Sequence, residues 1–129
     1  MIPLFSNKIK DSFSYAIQGI FTTFRTERNM RIHTVCTVIV LLSGVILHFK
    51  PWEWVAVIGA INFVIVTEMI NTAIENTVDL VTLECHPLAK NAKDVAAGAV
   101  LFSALCAVII ALIVYWPYLN KLASLLEVI

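Results

Sequence analysis

Residues 95–120, VAAGAVLFSALCAVIIALIVYWPYLN, contain no Asp, Glu, Lys or Arg. About 20 such residues in a helix cross a hydrocarbon core roughly 30 Å thick, and a backbone inside lipid satisfies its polar groups only as a helix or a closed barrel. A second run, residues 32–49, IHTVCTVIVLLSGVILHF, is also free of those four residues and is bounded by Arg31 and by Lys50-Pro51. A third starts at Trp54 and continues in helical register through Glu68 to about Val81, too long to be only a crossing. Its last turns are expected to leave the hydrocarbon for the membrane surface. Only 14% of the chain is charged, against about 25% in soluble domains, and the mean hydropathy is +0.87. The expected fold is therefore all-α and integral to the membrane. Its three transmembrane helices fall at about 31–49, 53–81 and 93–119, within a single domain covering residues 1–129.

Ahead of these spans, residues 6–24 place Ile9, Phe13, Ala16, Ile17, Ile20, Phe21 and Phe24 on one helical stripe, with Lys8, Lys10, Asp11 and Gln18 elsewhere. That pattern suits an amphipathic helix lying in the membrane surface. The start does not have the basic tip, short apolar run and small-residue cleavage site of a signal peptide, so the spans are expected to be retained. Lys8, Lys10, Arg25, Arg28 and Arg31 precede the first span, and Lys90 and Lys93 lie between the second and third. Only Lys50 and Lys121 are on the other side, which makes the N-terminus and the second loop cytoplasmic. Trp52, Trp54, Tyr115, Trp116 and Tyr118 then meet at the outer interface. The nine basic and nine acidic residues cancel, so net charge implies no nucleic-acid partner. Cys36, Cys85 and Cys106 have no CxxC spacing and are read as core thiols.

The third run carries TEMINTAIENTVD, residues 67–79, with Glu68, Asn71, Glu75 and Asp79. At about 100° per residue, Asn71 stands about 60° from Glu68, and Glu75 and Asp79 return to within about 20° of it. The four share one face over about 16 Å, from inside the membrane to its cytoplasmic edge. Such a stripe facing lipid would be strongly unfavourable, so it is expected to face protein or a wet cavity. Complementary groups flank the cytoplasmic helix ends: Glu27, Arg28, Asn29, Arg31 and His33 in TERNMRIH, and Glu84, His86, Lys90, Lys93 and Asp94 in ECHPLAKNAKD. Glu27 and Glu75, on different helices, suit a hard divalent cation that completes its shell with phosphate oxygens. The bland alternative is helix-to-helix ion pairing of these acids with Lys and Arg, but no basic residue lies within a turn of Glu68. Neither GxxxxGK[ST] nor GxGxxG occurs, so no standard phosphate-cradling loop is present.

TEMINTAIENTVD together with LAKNAKDVAAGAV resembles the signature of the prokaryotic diacylglycerol kinase family of small membrane lipid kinases. The family pattern, E-x-x-N-[ST]-A-I-E-x-x-x-D followed about a dozen residues on by A-K-D, is met at Glu68, Asn71, Thr72, Ala73, Ile74, Glu75 and Asp79, then Ala92, Lys93 and Asp94. ERNMRIH at 27–33 and HPLAK at 86–90 are similar to the Gram-positive branch, whose members favour undecaprenol. The resemblance implies a homotrimer with active sites at the cytoplasmic interface, using ATP with Mg2+. It implies Glu68 as general base, Glu27 and Glu75 as magnesium ligands, and Asn71, Lys93 and Asp94 completing the site. Glu84, Cys85 and His86 would lie beside the nucleotide, and Lys8 and Tyr15 would touch nucleotide or lipid. Two positions depart from the better-known pattern: Lys8 stands where the diacylglycerol-specific branch has arginine, and Cys85 where tyrosine is usual.

The expected activity is transfer of the γ-phosphate of ATP to undecaprenol at a bacterial plasma membrane. Two alternatives stand beside it. One is a diacylglycerol kinase of the same mechanism, since both lipids present a primary alcohol at the interface. The other is a small ion-conducting or accessory membrane oligomer whose acidic stripe lines a path; the scarcity of polar groups on the outer half argues against it.

Overall fold

The structure, a computed structural model, describes residues 8–126. It is all-helical: α1 Lys8–Thr26, α2 Arg28–Ile46, α3 Pro51–Val81 and α4 Pro87–Leu126. α2, α3 and α4 are each long and apolar enough to cross a membrane, and the chain is a multi-pass membrane protein. α3 has 31 residues, about 46 Å at 1.5 Å per residue, so it outruns a hydrocarbon core of about 30 Å. Residues 6 and 7 of the expected surface helix lie outside the described residues. α4 begins earlier than the apolar pattern indicates, because Pro87 supplies a preset φ at the first helical position.

α3 and α4 form the closest pair; α2 packs on α3, and α1 on α2 and α3. Apolar helices in lipid gain little from burying apolar surface, so close packing and interhelical hydrogen bonds hold them together. Midway along the bundle, Thr67 Oγ1 and Ser103 Oγ meet at 2.8 Å, joining α3 to α4. Val64, Ala96 and Val100 are buried nearby. Outward positions such as Val35, Leu42, Leu101 and Leu112 are exposed, as a lipid solvent requires. The same applies to the thiols: Cys36 and Cys85 are exposed and Cys106 half-buried, so the expectation of core thiols is corrected. In lipid an outward-facing Cys36 incurs no hydrophobic penalty, and Cys85 sits in the α3–α4 loop.

One end of the bundle is aromatic. The ring of Phe49 packs edge-on against Trp54 and Tyr115 at centroid distances of 5.6 and 5.4 Å, and lies 5.5 Å from Tyr118. Val57 and Val114 complete this core. Glu53, 2% exposed, accepts hydrogen bonds from the Lys50 backbone N–H and from the Tyr118 hydroxyl, both at 2.6 Å. It thus caps α3, whose first residue is Pro51, and ties it to α4. Ser43 and Tyr115 bond α2 to α4 at the same level.

α2 stops before the apolar run does. Phe49 N–H bonds Gly44 C=O at 2.9 Å and His48 N–H bonds Val45 C=O at 3.2 Å, the paired pattern of a left-handed helix stop. His48 occupies the left-handed position, φ 57°, where glycine is usual. Gly44 is needed for space, since a Cβ there would come within 2.9 Å of both Phe49 Cδ2 and Trp54 Cη2. Two substitutions should therefore shift stability in opposite directions, read by unfolding in detergent. Gly44→Ala should lower it by about 1–3 kcal/mol through overpacking, and His48→Gly should raise it by about 0.5–1 kcal/mol by relieving the left-handed strain.

Candidate active site

The other end of the bundle is acidic, and α3 organises it. Glu68 is 1% exposed, Asn71 and Thr72 are buried, Glu75 is half-buried and Asp79 is exposed. The stripe is therefore graded by depth, with its upper turns against protein. Asn71 Nδ2 donates to Glu75 Oε1 at 2.9 Å, one turn along the same face. Asn71 Oδ1 and Glu68 Oε2 are buried with no hydrogen-bond partner within bonding distance, and buried polar atoms are usually satisfied.

Glu27 reaches this cluster through a joint the sequence does not announce. It is the one non-helical residue between α1 and α2, with φ −86° and ψ 123°. Its N–H bonds Thr23 C=O at 3.0 Å, and its Oε1 accepts the Thr26 hydroxyl at 2.9 Å. The carboxylate makes no capping bond to α2, which leaves it available to other groups. Both Glu27 and Glu75 lie close enough to act electrostatically on Glu68, and the Asn29 carboxamide approaches Glu68 as a donor. Asn29 is expected from the sequence only as one of the polar groups flanking the stripe, with no contact to Glu68 specified. The only available signal was its place two positions beyond Glu27, and two positions apart on a helix do not share a face.

The basic residues behave differently. Among the described residues the ion pairs are Lys93 Nζ with Asp79 Oδ1 at 2.5 Å, and Lys90 with Asp94. Helix-to-helix pairing thus describes the exposed end of the stripe, whereas Glu27, Glu68 and Glu75 have no ion-pair partner among the described residues. Lys93 and Asp79 are 37% and 49% exposed; such pairs contribute about 0–1 kcal/mol and separate readily when another anion competes. Asp79, Glu84, Cys85, His86, Lys90, Lys93 and Asp94 line one open cleft of about 530 Å³ at the α3–α4 loop. Of the residues expected to form one site, Asp79, Glu84, Cys85, His86, Lys93 and Asp94 share this cleft, whereas Glu27, Glu68, Asn71 and Glu75 do not line it. His86 Nδ1 accepts the Leu88 N–H at 3.2 Å, so it caps α4, and Tyr15 is exposed on α1 without a hydrogen bond among the described residues. The Lys8 side chain lies outside the described residues.

No group of three or more His, Cys, Asp or Glu among the described residues forms a metal cage. A hard cation at Glu27 and Glu75 would take its remaining oxygens from water or phosphate, as magnesium commonly does. Their unpaired carboxylates and the orphaned oxygens beside them fit that role. Beyond Glu68, an apolar groove of about 230 Å³ runs between the helices from His33, Val64 and Ile65 to Val57 and Ala111.

The model of the family described as prokaryotic diacylglycerol kinase matches residues 14–115. The chain belongs to the prokaryotic diacylglycerol kinase family. A relative named undecaprenol kinase in Bacillus subtilis is 43% identical over 113 residues, covering 88% of this chain and 92% of its own length. One named diacylglycerol kinase in Synechocystis is 46% identical over 101 residues, which span 77% of this chain but 57% of that protein. Diacylglycerol kinase of Escherichia coli K12 is 28% identical over 86% of this chain and 91% of its own length. The match to the family takes in α2, α3 and most of α4, so it covers Glu27, the whole acidic stripe and the loop cleft.

The capping role of His86 is open to test. His86→Ala should make hydrogen exchange in the first turn of α4 about fivefold faster, from loss of a cap of about 1 kcal/mol, while His86→Asn should hold it near the native rate.

Proposed function

We propose that this protein is an ATP-dependent lipid kinase that phosphorylates undecaprenol, returning the dephosphorylated carrier lipid to the pool used in cell-wall synthesis. Family membership supports the reaction class. The observation that carries the chemistry is Glu68, a carboxylate buried inside a membrane-spanning helix with one oxygen unpartnered. An acceptor held dry at the lipid edge, above an apolar groove, suits a substrate whose hydroxyl arrives sideways from the bilayer.

In this reading the lipid hydroxyl donates its proton to Glu68 as its oxygen bonds the γ-phosphorus. The bond from that phosphorus to the β–γ bridging oxygen breaks in line, ADP leaves with the electron pair, and the proton passes on to water. Glu27 and Glu75 would hold the magnesium ion of MgATP, whose contribution when bound is to neutralise phosphate charge. Asn71 keeps Glu75 in place through its amide hydrogen bond, and its own buried oxygen has no partner among the described residues. Lys93 exchanges Asp79 for a phosphate, and Asp94, beside it in the cleft, completes the polar wall. Glu84, Cys85 and His86 border the nucleotide, and Lys8 and Tyr15 on α1 approach nucleotide or lipid headgroup.

Ile9, Phe13, Ile17, Ile20 and Phe21 are exposed, which supports α1 as an amphipathic helix resting in the membrane surface. The distribution of Lys and Arg supports a cytoplasmic N-terminus and α3–α4 loop at the plasma membrane. The assembly in this reading is a homotrimer. A diacylglycerol kinase is the second reading, favoured by the Synechocystis relative.

Purified protein given labelled ATP, magnesium and either lipid alcohol decides between the two. Undecaprenol should be phosphorylated with the higher kcat/KM; preference for diacylglycerol would install the second reading, and transfer to neither would remove both. Glu68→Gln should lower kcat by about 10²–10⁴-fold. Glu75→Ala should raise the magnesium needed for half-maximal rate, and a loss of rate indifferent to magnesium would remove its ligand role.

A further inference from the structure

α2 and α4 both flank α3, yet among the described residues their backbones do not come together. They meet at the aromatic end, where Ser43 bonds Tyr115 and Phe49 packs on the same ring. The groove of about 230 Å³ occupies the space between them, with α3 as its floor. Its other end leads toward Glu68, because Val64 stands one turn from Glu68 on α3 and His33 one turn from Asn29 on α2. His33 and Thr37 line that end, whereas Val40, Ala60 and Ala111 line the stretch toward the aromatic rings.

Close packing is what holds apolar helices together in lipid, so a slot through the bundle forfeits contacts unless something fills it. Here the slot exists because its α4 wall is small. Ala104, Ala107 and Ala111 follow one another at steps of three and four on one face, and like Ala60 on α3 they are half-buried. We infer that this slot takes the tail of the lipid alcohol, holding the isoprene units next to the hydroxyl along these alanines, and that its single width selects one polyprenyl chain over the paired chains of a diacylglycerol. A polar mouth and a hydrocarbon interior match a lipid whose one polar group is a terminal hydroxyl. A diacylglycerol branches at the carbon next to the one bearing its hydroxyl, so both of its chains would have to enter the same mouth. From the Thr67–Ser103 contact to Ala111 the slot runs about 12 Å along α4. It therefore reads only the first units of a long chain and leaves the rest in the bilayer. The inference rests on the undecaprenol kinase reading above and names the part of the fold that gives it its lipid preference.

The test compares chain lengths. Ala111→Phe should raise the KM for undecaprenol about tenfold, and by less than about twofold for a ten-carbon prenol, whose chain ends before position 111. Leu112→Phe, on the exposed face of α4, adds the same ring outside the slot and should change neither. In the unsubstituted chain, an undecaprenol analogue with a diazirine on its third isoprene unit should label Val40, Ala107 or Ala111 on irradiation. Label confined to outward residues such as Leu101 and Leu112, which is contact from bulk lipid, overturns the inference. So does no label at all, as when a neighbouring helix fills the slot, or a KM for Ala111→Phe that is unchanged or raised equally for both chain lengths. Phosphate transfer to undecaprenol by the unsubstituted chain then leaves the kinase reading standing. Transfer to no lipid alcohol removes that reading, and the role of the slot with it.

Discussion

Hydrocarbon will not solvate a carboxylate, and the arrangement of this molecule follows from that refusal. An acid placed midway along a membrane-spanning helix must face protein, so the position of Glu68 in the sequence fixes which side of α3 turns inward. That side then selects the neighbours. α4 packs closely along α3, and α2 begins at the level where Glu27 and Asn29 can approach Glu68. The charges do not neutralise one another within the protomer: three carboxylates gather with no cation paired to them among the described residues, while the lysines are occupied by Asp79 and Asp94 at the wet edge. In the function proposed above, the cation comes from outside as the metal ion that accompanies the nucleotide, and these carboxylates would hold it.

The two ends of the bundle meet the same constraint in opposite ways. At the aromatic end Glu53 is as buried as Glu68, yet it receives two short hydrogen bonds, from Lys50 and Tyr118, and serves to fasten helices. At the acidic end Glu68 keeps an oxygen without a partner. The two acids are thus alike in burial and differ in how many of their lone pairs are satisfied.

Much of this was legible in the sequence because the helical period is fixed. The spacing of Glu68, Asn71, Glu75 and Asp79 put them on one face, and charge-free lengths located the three long helices. What escaped depended on geometry between elements. His48 adopts a conformation usual for glycine, so α2 ends before its apolar pattern does. TFRTERNMR has no glycine or proline to break a helix, and the single extended residue at Glu27 leaves no trace in propensity. Glu53 was passed over between two tryptophans, although an acid three residues after Lys50, with Pro51 between, is a readable helix-start signal. The pairing of Lys93 with Asp79 depends on how the α3–α4 loop folds back, which no spacing along one helix can reveal.

The joint at Glu27 has no slack. With one extended residue between two helices, adding or removing a residue in the adjoining turn of α1 would rotate everything before it by about 100° and shift it by about 1.5 Å. The whole apolar stripe of α1 would be carried away from its present bearing, or Glu27 would be carried away from Glu68. Of the connections in this chain it is the one least able to absorb a change of length. Lineages descended from this chain should vary the α3–α4 loop, residues 82–86, long before they vary the distance from Phe21 to Arg28.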